Sequence, residues 1–172
     1  MVPENEDVQL ADRPILSALA FAGSEPVAEA RQAARDFLTE VQAVHGIPVS
    51  DRAMGMVQLV VSELVTNAHK YAPGPCLLDL EISDGAVEVS VWDTDPALPV
   101  AQSPDPGRVG EHGLEIVIGV CRCFEMRREP VGKRIRAAIV LEDDPGGDRR
   151  PRDVTSHCCV LPCWEGARGC YG

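Results

Sequence analysis

Between Ser24 and Gly46, apolar residues return every three or four positions, at Val27, Ala30, Ala34, Phe37, Leu38 and Val41. That spacing predicts an amphipathic helix running to about Val44. Ser24 is a candidate N-cap, Pro26 fits a first turn, and Gly46 followed by Pro48 supplies the stop. A second helical pattern begins at Ser50 or Asp51 and must end at Ala72, because Pro73, Gly74 and Pro75 cannot continue it. Period-two alternation then takes over: Leu78, Leu80 and Ile82, followed by Val87, Val89 and Val91, with Asp84-Gly85 between them as a hairpin turn. The second of these strands runs into Asp93.

Further along, a proline-rich stretch leads to Gly110-Glu111-His112-Gly113, which opens a short apolar helix through Leu114, Ile116, Val117 and Val120. Two more strands are predicted, one around Arg122 to Arg128 and one at Ile135, Ala137, Ile139 and Leu141, with Gly132-Lys133 turning between them. Ile15 to Phe21 suits an edge strand. Two helices, a hairpin, a short helix and a second hairpin describe an α+β two-layer sandwich, a mainly antiparallel sheet covered on one face by helices. Residues 1–12 are polar and acidic and read as a flexible N-terminal arm. After Leu141 the apolar period disappears, so the ordered domain is expected over 13–141 and a flexible, cysteine-containing tail over 142–172.

The second helix carries an irregularity. Its expected core stripe is Met54, Val57, Val61, Leu64, Val65, Ala68 and Ala72, yet Glu63 and Asn67 lie about 40° apart on roughly the opposite side, beside Met56 and Val60. A solvated face seldom gathers two apolar residues around two polar ones, so something else should cover them.

Composition narrows the field. The 172 residues are 45% hydrophobic and carry a formal charge of -11, which suits one core and gives no electrostatic footprint for a nucleic-acid backbone or an anionic membrane. An anionic ligand would need local help from backbone N–H groups, a metal ion or a single basic side chain. The acidic opening stretch and the lack of an apolar run of membrane-spanning length lead us to expect a cytoplasmic protein. Of seven cysteines, Cys158, Cys159, Cys163 and Cys170 fall in the tail; without paired CxxC spacing they read as free thiols rather than a zinc site. Cys121 and Cys123 read as small packing residues.

The chemistry-bearing residues stand in a definite order. Asn67 can offer a neutral oxygen to Mg²⁺, and Glu63 can orient or deprotonate a nucleophile. Asp93, at a strand end, can accept a hydrogen bond from an exocyclic amine. Gly110 and Gly113 precede a helix whose N-terminal N–H groups suit phosphate. Singly, each has an ordinary alternative: a solvated helix face, a turn-forming Asp and a glycine turn.

Taken in order, the ELVTNA helix, the strand ending in Asp93, the proline-rich loop and the Gly110-x-x-Gly113-Leu114 helix start resemble the anti-sigma-factor serine kinases. These are small members of the histidine-kinase, gyrase and heat-shock-chaperone (GHKL) ATPase superfamily. The resemblance covers residues 13–141 and implies the Bergerat-type ATPase fold. It also implies ATP and Mg²⁺ as cofactors, with Asn67 as the metal ligand, Glu63 as general base and Asp93 as the adenine contact. Gly110, Gly113 and Leu114 would border the phosphates, with about Pro96 to Val109 as a lid. Arg108, a basic lid residue, could reach the γ-phosphate; His112 is a weaker candidate of the same kind. His69 and Lys70 read as solvated or partner-facing.

Two positions depart from the family pattern: Asp95, where a glycine is usual, and Arg134, where a threonine hydroxyl normally backs up adenine recognition. By resemblance, the partners would be a sigma factor and a small anti-anti-sigma antagonist phosphorylated on serine. A homodimer would be in keeping with the family, while the acidic charge argues against direct contact with nucleic acid or membrane. The alternative within the same fold is an ATP-binding sensor or interaction module that transfers no phosphoryl group.

Overall fold

The structure, a computed structural model, describes residues 14–97 and 113–143. Strand β1 (Ile15–Phe21) leads to helices α1 (Val27–His45) and α2 (Asp51–Tyr71), then strands β2 (Cys76–Ser83) and β3 (Ala86–Asp93). Helix α3 (Gly113–Val120) and strands β4 (Cys123–Arg128) and β5 (Lys133–Val140) complete the described elements. The sheet order is β1-β2-β3-β5-β4, and every pairing is antiparallel. β1 is the expected edge strand. β5 turns back from β4 to lie beside β3, so the start of β5 and the end of β3 are neighbours.

Pattern and structure agree on most element limits, with instructive differences at α1. Ser24 is not its cap: Pro26 occupies that position and gives no side-chain bond. The preceding N–H groups instead converge on Glu25, whose carboxylate accepts from Ala22 at 2.9 Å, Gly23 at 3.0 Å and Ser24 at 3.1 Å. These bonds, led by that from Ala22, hold the Glu25 carboxyl below its ordinary range. At α2 the expected cap does form, with Ser50 Oγ accepting from Ala53 N–H at 3.1 Å.

Helix α2 shows packing overriding propensity. Its four valines, Val57, Val60, Val61 and Val65, each cost roughly 0.5 kcal/mol relative to Ala in an isolated helix. Each is fully buried, and burial of such a side chain contributes about 1.5–3 kcal/mol. The stripe is broader than the period suggested: Ala53 and Val60 are buried, whereas Met54 is only partly so. α1 packs Ala30, Ala34, Phe37, Leu38 and Val41 into the same core, opposite Leu78, Leu80, Val87, Val89, Val91, Ile135, Ala137 and Ile139 of the sheet.

The other sheet face is built differently. Trp92 Nε1–H donates to Asp79 Oδ2 at 2.9 Å, the Arg134 guanidinium lies 4.8 Å over the Trp92 ring, and Arg134 approaches Glu129 at 3.6 Å. Arg136 pairs with Glu88, and Arg127 with Glu125. Such partly exposed pairs contribute about 0–1 kcal/mol each and chiefly keep polar a sheet face that none of the described helices covers. Among the described residues no helix is long and apolar enough to cross a membrane.

Candidate nucleotide site

Glu63 and Asn67 are partly buried on α2. Val60 is fully buried, Met56 packs on the core, and α3 lies against α2 with Val117 buried and Leu114 partly so. The carboxylate of Glu63 lies close to the start of α3. A Cβ built on Gly113 would overlap Glu63 Oε2, and would stand 2.9 Å from its Cδ. Only a bare α-carbon lets the helix start come this near. Two residues 50 apart in sequence, singled out for different chemical reasons, thus share one spot.

A second convergence forms at the far end of β3. Asp93 lies two residues beyond Val91 and Lys133 two before Ile135, so both continue the core-facing register and both are buried. They are cross-strand partners, and Lys133 Nζ donates to Asp93 Oδ1 at 3.0 Å and to the Asp95 carbonyl at 3.1 Å. Asp95 N–H also donates to Asp93 Oδ1, at 3.0 Å. Both bonds therefore fall on one carboxylate oxygen, and Oδ2 accepts from none of the described residues. Lys133 is also 3.9 Å from Asp95 Oδ2.

Glycines close this end. Gly132 has φ 82°, and a Cβ there would overlap the Asp93 carbonyl. A Cβ on Gly74 would come 3.4 Å from Thr94 Oγ1, and one on Gly23 would overlap the Gly74 carbonyl. The β1 exit, the turn after α2, the β3 end and the β5 start meet here. Cys76, at the start of β2, is buried nearby, and its thiol is pushed up first by burial and then by Asp93.

The register corrects one expectation. Arg134 is not at the Asp93 end of the core face: it pairs with Trp92 and stacks on that ring on the opposite side of the sheet. Strand parity is the reason, since adjacent residues project to opposite faces. Lys133 is the residue the sequence reading overlooked. Extending the Ile135, Ala137, Ile139 alternation back by two positions places a lysine in a buried register, which was the available signal.

Asp95 takes part through its carbonyl and N–H as well as its carboxylate. His69 has a buried Nε2 with no hydrogen-bond partner among the described residues, and Lys70 stacks over Tyr71 at 4.9 Å. Arg108, Gly110, His112, most of the expected lid, the 1–12 arm and the tail cysteines lie outside the described residues.

The described residues thus set the Glu63 carboxylate beside the start of α3, with Asn67 one turn further along α2, and hold the Asp93 carboxylate against Lys133 at the end of β3. The chain matches the family model of the histidine kinase-like ATPase domain over residues 25–139, and it belongs to that family. Its two-layer sandwich is the fold of that group.

No curated protein sequence matches the chain. Among solved structures it is similar to the RsbU and RsbW domains of Rv1364c from Mycobacterium tuberculosis, at 16% identity and a TM-score of 0.54. That match covers 73% of this chain and 32% of the other, so the chain spans about a third of that protein's length. It is also similar to the histidine kinase domain of a blue-light activated histidine kinase from Erythrobacter litoralis EL346. Identity there is 17%, the TM-score 0.40, and coverage 65% of this chain and 61% of the other.

Proposed function

We propose that this chain is an ATP-binding regulatory protein kinase of the anti-sigma-factor type, transferring a phosphoryl group to a serine of a small antagonist protein. The observation that carries the reading is the seat of the Glu63 carboxylate against the bare α-carbon of Gly113 at the start of α3. A carboxylate beside a helix start is poised to act on a hydroxyl brought to an anion held there. Membership of an ATPase family and the fold shared with a protein containing an RsbW domain support it.

In this reading Asn67 offers its side-chain oxygen to Mg²⁺, which supplies charge neutralisation for the phosphates when bound. Gly113 and Leu114 hold the phosphate side, Asp93 takes the exocyclic amine of the base, and Glu63 accepts the proton of the serine hydroxyl. Phosphoryl transfer draws most of its rate from such positioning. The ATPase domain spans about residues 13–141, and the protein acts in the cytoplasm on a sigma factor and its antagonist.

The test is labelled ATP with Mg²⁺ and candidate antagonists, for wild type, Glu63→Ala and Asn67→Ala. Transfer lost in Glu63→Ala with ATP binding kept is the expected outcome, and calorimetric ATP binding should be lost in Asn67→Ala. Unchanged transfer by Glu63→Ala would remove Glu63 from the chemistry. A second reading, an ATP-binding sensor without transfer, draws on the Lys133 ammonium already engaging Asp93. ATP bound by wild type with no label on any partner would favour it.

A further inference from the structure

We infer that Lys133 determines which purine this site accepts, by pinning one oxygen of Asp93 and leaving an acceptor and a donor side by side. The inference rests on the reading of Asp93 as the base-facing carboxylate. Two donors, Lys133 Nζ and Asp95 N–H, both engage Oδ1. Oδ2 is thereby left as the acceptor. The ammonium spends two N–H groups on Asp93 and the Asp95 carbonyl, and its third has no acceptor within hydrogen-bond distance among the described residues.

An ionised carboxylate beside an ammonium presents a fixed acceptor next to a fixed donor. Adenine presents the complement: a 6-amino donor next to the N1 acceptor. Hypoxanthine and guanine present the reverse, a 6-oxo acceptor next to N1–H. A hydroxyl in place of the ammonium could donate or accept and would discriminate less. Lysine cannot switch, since it has donors only. The pair is nearly dry, with side-chain exposures of 4% for Lys133 and 2% for Asp93, so a mismatched edge would leave polar groups without water as well as without partners.

The experiment compares calorimetric binding of ATP and inosine triphosphate, each with Mg²⁺, to wild type, Lys133→Met and the Asp93→Asn/Lys133→Met double variant. Wild type should favour ATP by about tenfold to a hundredfold, the cost of one mismatched buried polar pair. Lys133→Met, which removes the fixed donor, should lose that preference. The double variant buries no charge, which such sites tolerate well, and the carboxamide introduced in place of the carboxylate can turn either way, so its ratio should approach one. If Lys133→Met does not fold, the double variant decides.

Variants that bind both nucleotides with the wild-type ratio would overturn the role of Lys133 while leaving the nucleotide site standing. A wild type that binds both equally would overturn it too. Failure of folded wild type to bind either nucleotide would instead bring down the nucleotide reading itself.

Discussion

Gly132→Ala should be among the most damaging single-methyl changes in this protein. Gly132 has φ 82°, where an L side chain costs roughly 1–2 kcal/mol. Its new Cβ would also overlap the Asp93 carbonyl oxygen, with the carbonyl carbon at 2.7 Å and Thr94 Cα at 2.9 Å. These are backbone atoms and cannot rotate aside, so overpacking adds about 1–3 kcal/mol. The total, about 2–5 kcal/mol, is a large share of the 5–15 kcal/mol typical of a domain.

Gly46→Ala is the matched control. It too has positive φ, 65°, but a Cβ there meets nothing within 4 Å, so only the conformational cost of about 1–2 kcal/mol applies. Urea denaturation of both variants separates the two contributions, the difference between them being the packing cost. Equal losses in the two, or a Gly132→Ala midpoint close to wild type, would refute the close approach of the β5 turn to the end of β3. That approach is what seats Lys133 against Asp93.

Gly113→Ala should behave in the opposite way: its Cβ meets the end of a flexible Glu63 side chain, so melting temperature should change little while serine phosphorylation falls by about a hundredfold as the carboxylate is displaced. Melts and labelled-ATP transfer on the same preparation check this. Glu25→Gln should lower stability at neutral pH. The folded-state pKa of Glu25 lies below the ordinary 4.5, so its contribution is present above that value and is lost as the pH falls through the folded pKa; the gap to wild type in acid titration should close there. Burial, with a smaller push from Cys123, raises the Cys121 thiol to about 12. Iodoacetamide at pH 8 should therefore leave Cys121 unlabelled in the folded protein and modify it once urea is added, as read by peptide mass mapping.

Much of the fold was legible because its elements announce themselves by period. α1 and α2 repeat at three to four residues, β2, β3 and β5 at two, and Asp84-Gly85 has the positive φ values that its hairpin turn requires. Glu63 and Asn67 were legible as a pair because a helix fixes the angle between residues four apart. The stop of α2 was equally local, since proline acts on its own backbone.

Contacts that close over long sequence distances were not legible in this way. The start of α1 differs for a local reason, since Glu25 rather than Ser24 gathers the N–H groups of the β1 exit. Arg134 and Lys133 differ by one position, and one step of the pleat sends the first to Trp92 on the open face and the second into the core with Asp93. Sequence alone supplied Glu63, Asp93 and Gly113 as separate candidates for reasons of chemistry. Tertiary structure decided that Gly113 abuts Glu63 and that Asp93 is shared with a buried ammonium, because strand register and helix docking, set by the whole core, determine which distant side chains meet.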